Sequence, residues 1–275
     1  MSAMLTRTIP SSGEQLPAIG VGTWERFDVG ADPKRRAQLQ QVLADLRAAG
    51  GRLIDSSPMY GKAEGVVGDL LAALPAEPRY FLATKVWTRG AKQGEAEMRR
   101  SLELMRTECM DLMQVHNLLD WRAHLKTMQA WKEQGRIRYL GITHYTESGH
   151  AELESVMRAA PWDFVQLNYS LEERAAERRL LPLAAERGIA VIVNRPFGGG
   201  GLIRRVRSRP LPPIAAELGC ASWAALLLKF ILAHPAVTCA IPGTGDPAHM
   251  RDILQAGLGA LPSEEQRERM LGLLQ

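Results

Sequence analysis

The sequence predicts an α/β fold: a (β/α)8 TIM barrel with an N-terminal β-hairpin. Three observations lead there. Short β-rich apolar runs alternate with helical stretches along a chain of 275 residues. There are eight such runs, and polar residues fall at their C-terminal ends. The length is close to the ~250 residues typical of one such barrel. Short strands separated by helices call for parallel pairing through crossovers. Parallel barrels build their sites on the face where the strands end. An open doubly wound sheet would usually carry Gly-x-Gly-x-x-Gly after its first strand. Here Gly20-Val21-Gly22 lacks the third glycine, and no helix follows at once.

The elements read in order as follows. Met4–Pro17 forms a hairpin with its turn at Ser11-Ser12-Gly13-Glu14, placed to plug the bottom of the barrel. The strands are Ile19–Thr23, Leu53–Asp55, Tyr80–Lys85, Asp111–His116, Tyr139–Thr143, Phe164–Leu167, Ala190–Val193 and Val237–Ile241. Asp32 caps a helix that starts at Pro33 and stops at Gly50-Gly51. Further helices span Trp121–Gln134 and Glu173–Arg187, each ended by a glycine. Another starts at Asp246-Pro247, and a last polar helix starts at Ser263. No linker or composition shift interrupts this order, so residues 1–275 read as one domain.

Composition narrows the partners. Hydrophobic residues make up 46% and charged residues 23%, an ordinary globular balance able to bury a core. The net charge of +4 is too mild to indicate nucleic acid and is compatible with a phosphate-bearing ligand. Cys109, Cys220 and Cys239 are scattered and odd in number, which argues against a disulfide framework or a metal site and fits a reducing cytoplasm. The longest apolar run, Trp223–Ala233, is broken by Lys229 and is far short of the ~20 residues that cross a bilayer. No signal-like apolar core stands at the N-terminus, so a cytoplasmic location is expected, with monomer as the default state.

Four residues carry chemistry together. Asp55, Lys85 and His116 end the second, third and fourth strands, and Tyr60 lies in the loop after Asp55. Each alone has a plain reading: a turn aspartate, a surface lysine, a core histidine, a packing tyrosine. On adjacent staves of one barrel they converge on one mouth. That set suits protonation of a carbonyl as it accepts a hydride. A phenol has a pKa near ~10, and a neighbouring ammonium is expected to lower it. Asp55 would keep the buried Lys85 charged, and His116 would orient the carbonyl.

These segments also resemble a known family. Gly51-Arg52-Leu53-Ile54-Asp55-Ser56-Ser57-Pro58-Met59-Tyr60-Gly61 is similar to the aldo-keto reductase signature around its catalytic Asp and Tyr. Ala83–Trp87 resembles that family's lysine strand, Gln114–Asn117 its histidine strand, and Gly135–Thr143 the segment entering its fifth strand. Ile241-Pro242-Gly243-Thr244 resembles its last-strand cofactor loop. The resemblance spans residues 4–256 and implies hydride transfer from a nicotinamide C4 to a carbonyl, with Tyr60 supplying the proton and no metal. It implies that Thr143, His144 and Gln166 hold the carboxamide. Asn194, Arg195, Pro196, Phe197 and Gly198 would lie along the nicotinamide and pyrophosphate. Gly243, Thr244, Gly245 and His249 would meet the adenosine phosphate, and Gly22, Thr23 and Asp55 would touch the cofactor. Trp24, Trp87 and Asn117 would line the substrate pocket.

The sequence departs from the family pattern in three places. Thr143-His144 stands where Ser-Asn is common. Asn194-Arg195-Pro196-Phe197 stands where an aromatic residue commonly stacks on the nicotinamide. Gly243 and His249 replace the usual lysine and arginine for the 2′-phosphate, with Arg195 or the run Arg204–Arg209 as substitutes. NADP is the expected cofactor, with NAD possible, and a small carbonyl or alcohol the expected substrate. Two rival readings are a non-catalytic cofactor-binding barrel serving as a redox sensor or partner subunit, and a Schiff-base aldolase using Lys85.

Overall fold

In a computed structural model, which describes residues 3–274, eight parallel strands close around one interior behind an antiparallel hairpin. The hairpin pairs β1 (Thr6–Thr8) with β2 (Gln15–Pro17). The barrel runs β3 (Val21–Gly22), β4 (Leu53–Asp55), β5 (Phe81–Val86), β6 (Met110–His116), β7 (Ile137–Thr143), β8 (Phe164–Asn168), β9 (Ala190–Asn194) and β10 (Val237–Ala240). Each strand pairs in parallel with the next. A bridge between Ile19 and Ala240 joins the two ends, with Gly20 N–H donating to Ala240 O at 2.9 Å and Ala240 N–H to Ala18 O at 2.9 Å.

The two-residue period of the strands sorts their side chains. Leu53, Phe81, Ala83, Leu112, Tyr139, Phe164, Ala190, Ile192 and Cys239 form the apolar lower interior. Ile54, Leu82, Val86, Met113, Val115, Ile142, Val165 and Val191 point outward into the layer shared with the helices. Continuing the inward parity toward the strand ends reaches Asp55, Lys85, Gln114, His116, Thr143, Gln166 and Asn194. The polar upper interior is therefore the same alternation that builds the core, carried to the other end of each strand.

The hairpin does plug the lower end. Ile9 and Leu16 are fully buried and join the interior cluster. Burial of that size contributes ~1.5–3 kcal/mol per side chain. Tyr139 Oη holds the turn by donating to Ser12 Oγ or Glu14 Oε2, each 2.7 Å away.

Helix boundaries follow the chain chemistry with one exception. Asp32 Oδ1 accepts from the backbone N–H groups of Lys34 and Arg35 and starts Pro33–Ala48. Asp246 caps Pro247–Leu254, and Ser263 with Gln266 forms a capping box on Glu264–Leu271. The expected single helix over Glu173–Arg187 is instead a short 3-10 turn, Ala175–Arg178, and a separate helix, Leu180–Glu186. Pro182 explains the break: mid-helix it would lack a donor and clash with the preceding turn, whereas the new helix holds it in its first turn. Among the described residues, no helix is long and apolar enough to cross a membrane.

Candidate active site

Lys85 is fully buried and ends the inward row of β5. Its Nζ donates to Asp55 Oδ2 at 2.6 Å and to Ser56 O at 2.7 Å. The other carboxylate oxygen, Asp55 Oδ1, accepts from Gln114 Nε2 at 3.0 Å and Gln166 Nε2 at 2.9 Å. Both carboxylate oxygens and two of the three ammonium N–H groups are thus hydrogen-bonded, the support that a desolvated ion pair requires. Burial alone would pull the lysine pKa down, but the Asp55 carboxylate and Tyr60 outweigh it and hold it above its ordinary value. Lys85 is an ammonium ion at neutral pH.

Gln114 fits because the neighbouring strand carries Gly141. A Cβ there would stand 2.9 Å from Gln114 Cγ and 3.0 Å from Leu112 Cδ1. This glycine marks a close approach inside the barrel.

Tyr60 lies in the loop after β4 with Lys85 Nζ 4.9 Å from its ring centre. Its ring meets that of His116 edge-on at 6.1 Å. Contrary to the sequence expectation, its phenol pKa is raised above the usual value. Burial is the largest influence, Lys85 pulls the other way, and Asp55 adds to the rise. Counting the ammonium but not the desolvation gives the wrong sign. The phenol is protonated throughout the neutral range.

His116 ends β6 and is almost fully buried. Burial, followed by the positive Lys85 and then His144, holds its imidazole down at about 3. It is neutral at physiological pH. Its Nδ1 lies 3.1 Å from Ser57 Oγ. Ser57 Oγ also accepts from Met59 N–H at 3.4 Å, which holds the hydroxyl beside the imidazole. Trp24 and Trp87 are both half-exposed, and the Trp87 ring lies 6.0 Å from that of His116. Asn117 follows with a φ of 50° and a buried Oδ1 that has no partner.

Thr143, His144 and Gln166, expected on the carboxamide, are engaged within the protein, whereas Asn194, expected along the nicotinamide, keeps an open acceptor. Gln166 is occupied by the protein: besides Asp55, it donates to Gln114 Oε1 at 3.2 Å and accepts from Thr143 Oγ1 at 3.3 Å. His144 Nδ1 accepts from Thr146 N–H at 3.3 Å, and its ring stacks on Tyr145. Asn194 is different. Its Nδ2 donates to His144 O at 3.3 Å, while its buried Oδ1 has no acceptor role filled. An amide N–H from a ligand would satisfy it, so Asn194 fits a nicotinamide carboxamide.

Beyond β9, Pro196 is buried and Phe197 packs half-buried against the core. Gly198, Gly199 and Gly200 take successive positive φ angles of 56°, 65° and 85°, a path suited to glycine. Thr23, whose hydroxyl lies 3.0 Å from Asp55 O, ties the first barrel loop to β4. Gly22 leaves the space that a Cβ would take only 3.0 Å from Ile241 O.

A cavity of about 390 Å³ opens beside the last strand, lined by Gly243, Thr244, Gly245, Asp246 and His249 on one side and Arg26, Val29, Arg35, Gln38 and Leu39 on the other. Arg195 and the run Arg204–Arg209, expected as substitutes for the missing lysine and arginine, do not line it. Arg205 is paired with Glu172 at 2.8 Å, and the Arg195 guanidinium lies against Gly199. Arg26 and Arg35, which no motif marks, line it instead. Gln114 and Ser57 are also unmarked by chemistry in the sequence; only their inward or loop positions beside candidate site residues hint at them.

The comparisons with known proteins agree with this fold. The chain is 29% identical over 260 residues to methylglyoxal reductase YeaE of Escherichia coli strain K12, covering 90% of this chain and 88% of that protein. Its fold matches the thermostable aldo-keto reductase Tm1743, solved with the inhibitor epalrestat, at a TM-score of 0.82 and 26% identity, covering 98% of this chain and 100% of that one. It also matches an aldo-keto reductase from Klebsiella pneumoniae solved with NADPH, at a TM-score of 0.79 and 23% identity, covering 100% and 95%. The model of the aldo/keto reductase family matches residues 18–269, and the chain belongs to that family.

Proposed function

We propose that this chain is a single-domain NAD(P)H-dependent oxidoreductase that interconverts small aldehydes or ketones and alcohols, with Tyr60 as the proton donor. The observation that carries this reading is the buried, hydrogen-bonded Lys85–Asp55 pair beneath a protonated Tyr60. A bound reduced nicotinamide would supply the hydride. Asn194, with its open Oδ1, fits the carboxamide, and Thr143, His144 and Gln166 brace it.

The protein's own groups do the rest. His116, neutral and protonated at Nε2, donates a hydrogen bond to the substrate carbonyl and turns its oxygen toward Tyr60. The phenol gives its proton to that oxygen as negative charge develops there. Lys85 stabilises the phenolate left behind, and Asp55 keeps Lys85 charged. A charge-assisted contact of this kind acts most strongly where charge appears during the reaction. Trp24, Trp87 and Asn117 wall the carbonyl pocket. The exposed apolar rings favour an uncharged substrate.

The Schiff-base alternative needs a neutral lysine nucleophile, which the raised pKa of Lys85 opposes. Related proteins are named for reduction of methylglyoxal, one of them NADH-specific and 26% identical over 219 residues, covering 67% of this chain and 65% of that protein. We extend methylglyoxal to this chain as a first substrate. The three free, dispersed cysteines support a reducing, cytoplasmic setting, and a monomer is the simplest state.

The test follows cofactor oxidation by the purified protein with methylglyoxal and a panel of aromatic and aliphatic carbonyls. Carbonyl-dependent loss of NADPH or NADH absorbance is expected. Tight cofactor binding with no turnover on any carbonyl would favour the sensor reading.

A further inference from the structure

We infer that Arg26 and Arg35 select the phosphorylated nicotinamide cofactor by gripping its 2′-phosphate. This inference rests on the reading that a nicotinamide dinucleotide binds along β9 and β10. The two side chains come from places that local pattern does not connect. Arg26 lies in the loop after β3, held by the fully buried Phe27 that follows it. Arg35 lies in the first turn of the helix Pro33–Ala48. They meet across the cavity of about 390 Å³ beside the last strand.

Both guanidinium groups are uncommitted. The chain is rich in arginine ion pairs, and the adjacent Arg36 is bound to Asp69 at 2.9 Å and to Gly30 O. Among the described residues, neither Arg26 nor Arg35 has a side-chain hydrogen bond or an ion pair. Two unpartnered guanidiniums facing one cavity suit a phosphate dianion, which accepts their forked donors.

The opposite wall is built for close approach. A Cβ on Gly243 would meet Gly22 O at 3.3 Å and Arg26 Cγ at 3.9 Å; one on Gly245 would meet Leu39 Cδ2 at 3.5 Å. The loop therefore lies directly against Arg26. Val29 and Leu39 give the cavity an apolar floor for an adenosine ring, and His249 adds a third nitrogen group at its rim. One carboxylate, Asp246, also lines the cavity. Its Oδ1 accepts from Ala248 N–H at 2.7 Å, so it caps the helix there and repels phosphate toward the arginine side. The two cations lie on the first loop and first helix, not at the last-strand positions held here by Gly243 and His249.

The experiment measures binding, not turnover. Calorimetry with wild type, Arg26→Ala, Arg35→Ala and the double variant would use NADPH, NADH, adenosine 2′,5′-bisphosphate, adenosine 5′-monophosphate and inorganic phosphate. Each single change is expected to weaken NADPH and the bisphosphate by about 10- to 100-fold, with NADH and the monophosphate within about 2-fold of wild type. Arg35→Lys should retain part of the loss, because it keeps charge without the fork. Equal weakening of NADPH and NADH would overturn the inference, as the arginines would then serve the pyrophosphate. Unchanged NADPH affinity, or inorganic phosphate displacing the bisphosphate at equal concentration, would overturn it too. If wild type binds neither dinucleotide, the proposed function itself fails, which is a different result.

Discussion

Ser57 Oγ lies 3.1 Å from His116 Nδ1, and the same oxygen accepts the Met59 N–H. The loop that carries Tyr60 therefore also touches the histidine opposite it, and a Ser57 hydroxyl donated to Nδ1 would bias that ring toward the Nε2–H tautomer. In Ser57→Ala the imidazole loses this bias, and a fraction of molecules presents an unprotonated Nε2 to the carbonyl. We expect kcat/KM to fall about 10-fold, in line with the loss of one positioned hydrogen bond, with cofactor affinity unchanged. Nitrogen-15 chemical shifts of His116 report the tautomer directly. An unchanged shift and an unchanged rate would remove Ser57 from the account.

Removing Lys85 tests the charge pair. Lys85→Met leaves a buried Asp55 carboxylate with only the Gln114 and Gln166 amides. That should cost about 3–5 kcal/mol of stability, read from urea unfolding. The double variant Lys85→Met with Asp55→Asn removes both charges and should recover most of that loss while staying inactive. Recovery of turnover in the double variant would show that Lys85 acts only as a structural partner.

The titrating groups set a pH profile. Tyr60 is protonated up to beyond the ordinary phenol range and His116 stays neutral down to about 3. Carbonyl reduction should therefore be flat from about pH 5 to 9, and alcohol oxidation, which needs the phenol to lose its proton, should rise with pH. Stability has a matching sign. His116 has a depressed folded pKa, so its contribution is complete above the unfolded value near ~6.5. That contribution is lost as pH falls from there toward 3, because the unfolded chain binds the proton first. A break in the reduction rate near pH 6.5 would contradict the neutral imidazole.

Gly141 provides the space for Gln114. Gly141→Ala should cost about 1–3 kcal/mol, the range for overpacking a close interior, and should lower kcat by loosening the Gln114 contact to Asp55. Differential scanning fluorimetry and steady-state kinetics on the variant separate the two effects. Unchanged stability would mean that β7 shifts to accept the methyl group.

Much of the barrel was readable because one periodicity does two jobs. Alternation along β5 places Phe81 and Ala83 in the core and Lys85 above them, so the strand and its site residue announce each other. Asp32 was legible as a cap, and Asp246 and Ser263 as helix starts, because capping is local chemistry. The break before Leu180 had its signal in Pro182, but helical composition on both sides masked it. Arg26 and Arg35 had no such signal. Their meeting depends on how the first loop folds over Phe27 and on where the first helix packs, which is tertiary information. The direction of the Tyr60 shift was hidden for the same reason, since it depends on burial more than on the charge of Lys85.

The most direct measurement of the central claim compares wild type with Tyr60→Phe, by fluorescence titration of NADPH and NADH and by carbonyl-dependent cofactor oxidation. The phenyl ring keeps the packing against His116 and Lys85 and removes only the proton donor. Cofactor binding within about 2-fold of wild type and a loss of turnover of at least about 100-fold are the expected results. Turnover that survives in Tyr60→Phe would contradict Tyr60 as the acid and return the role to another group at the mouth.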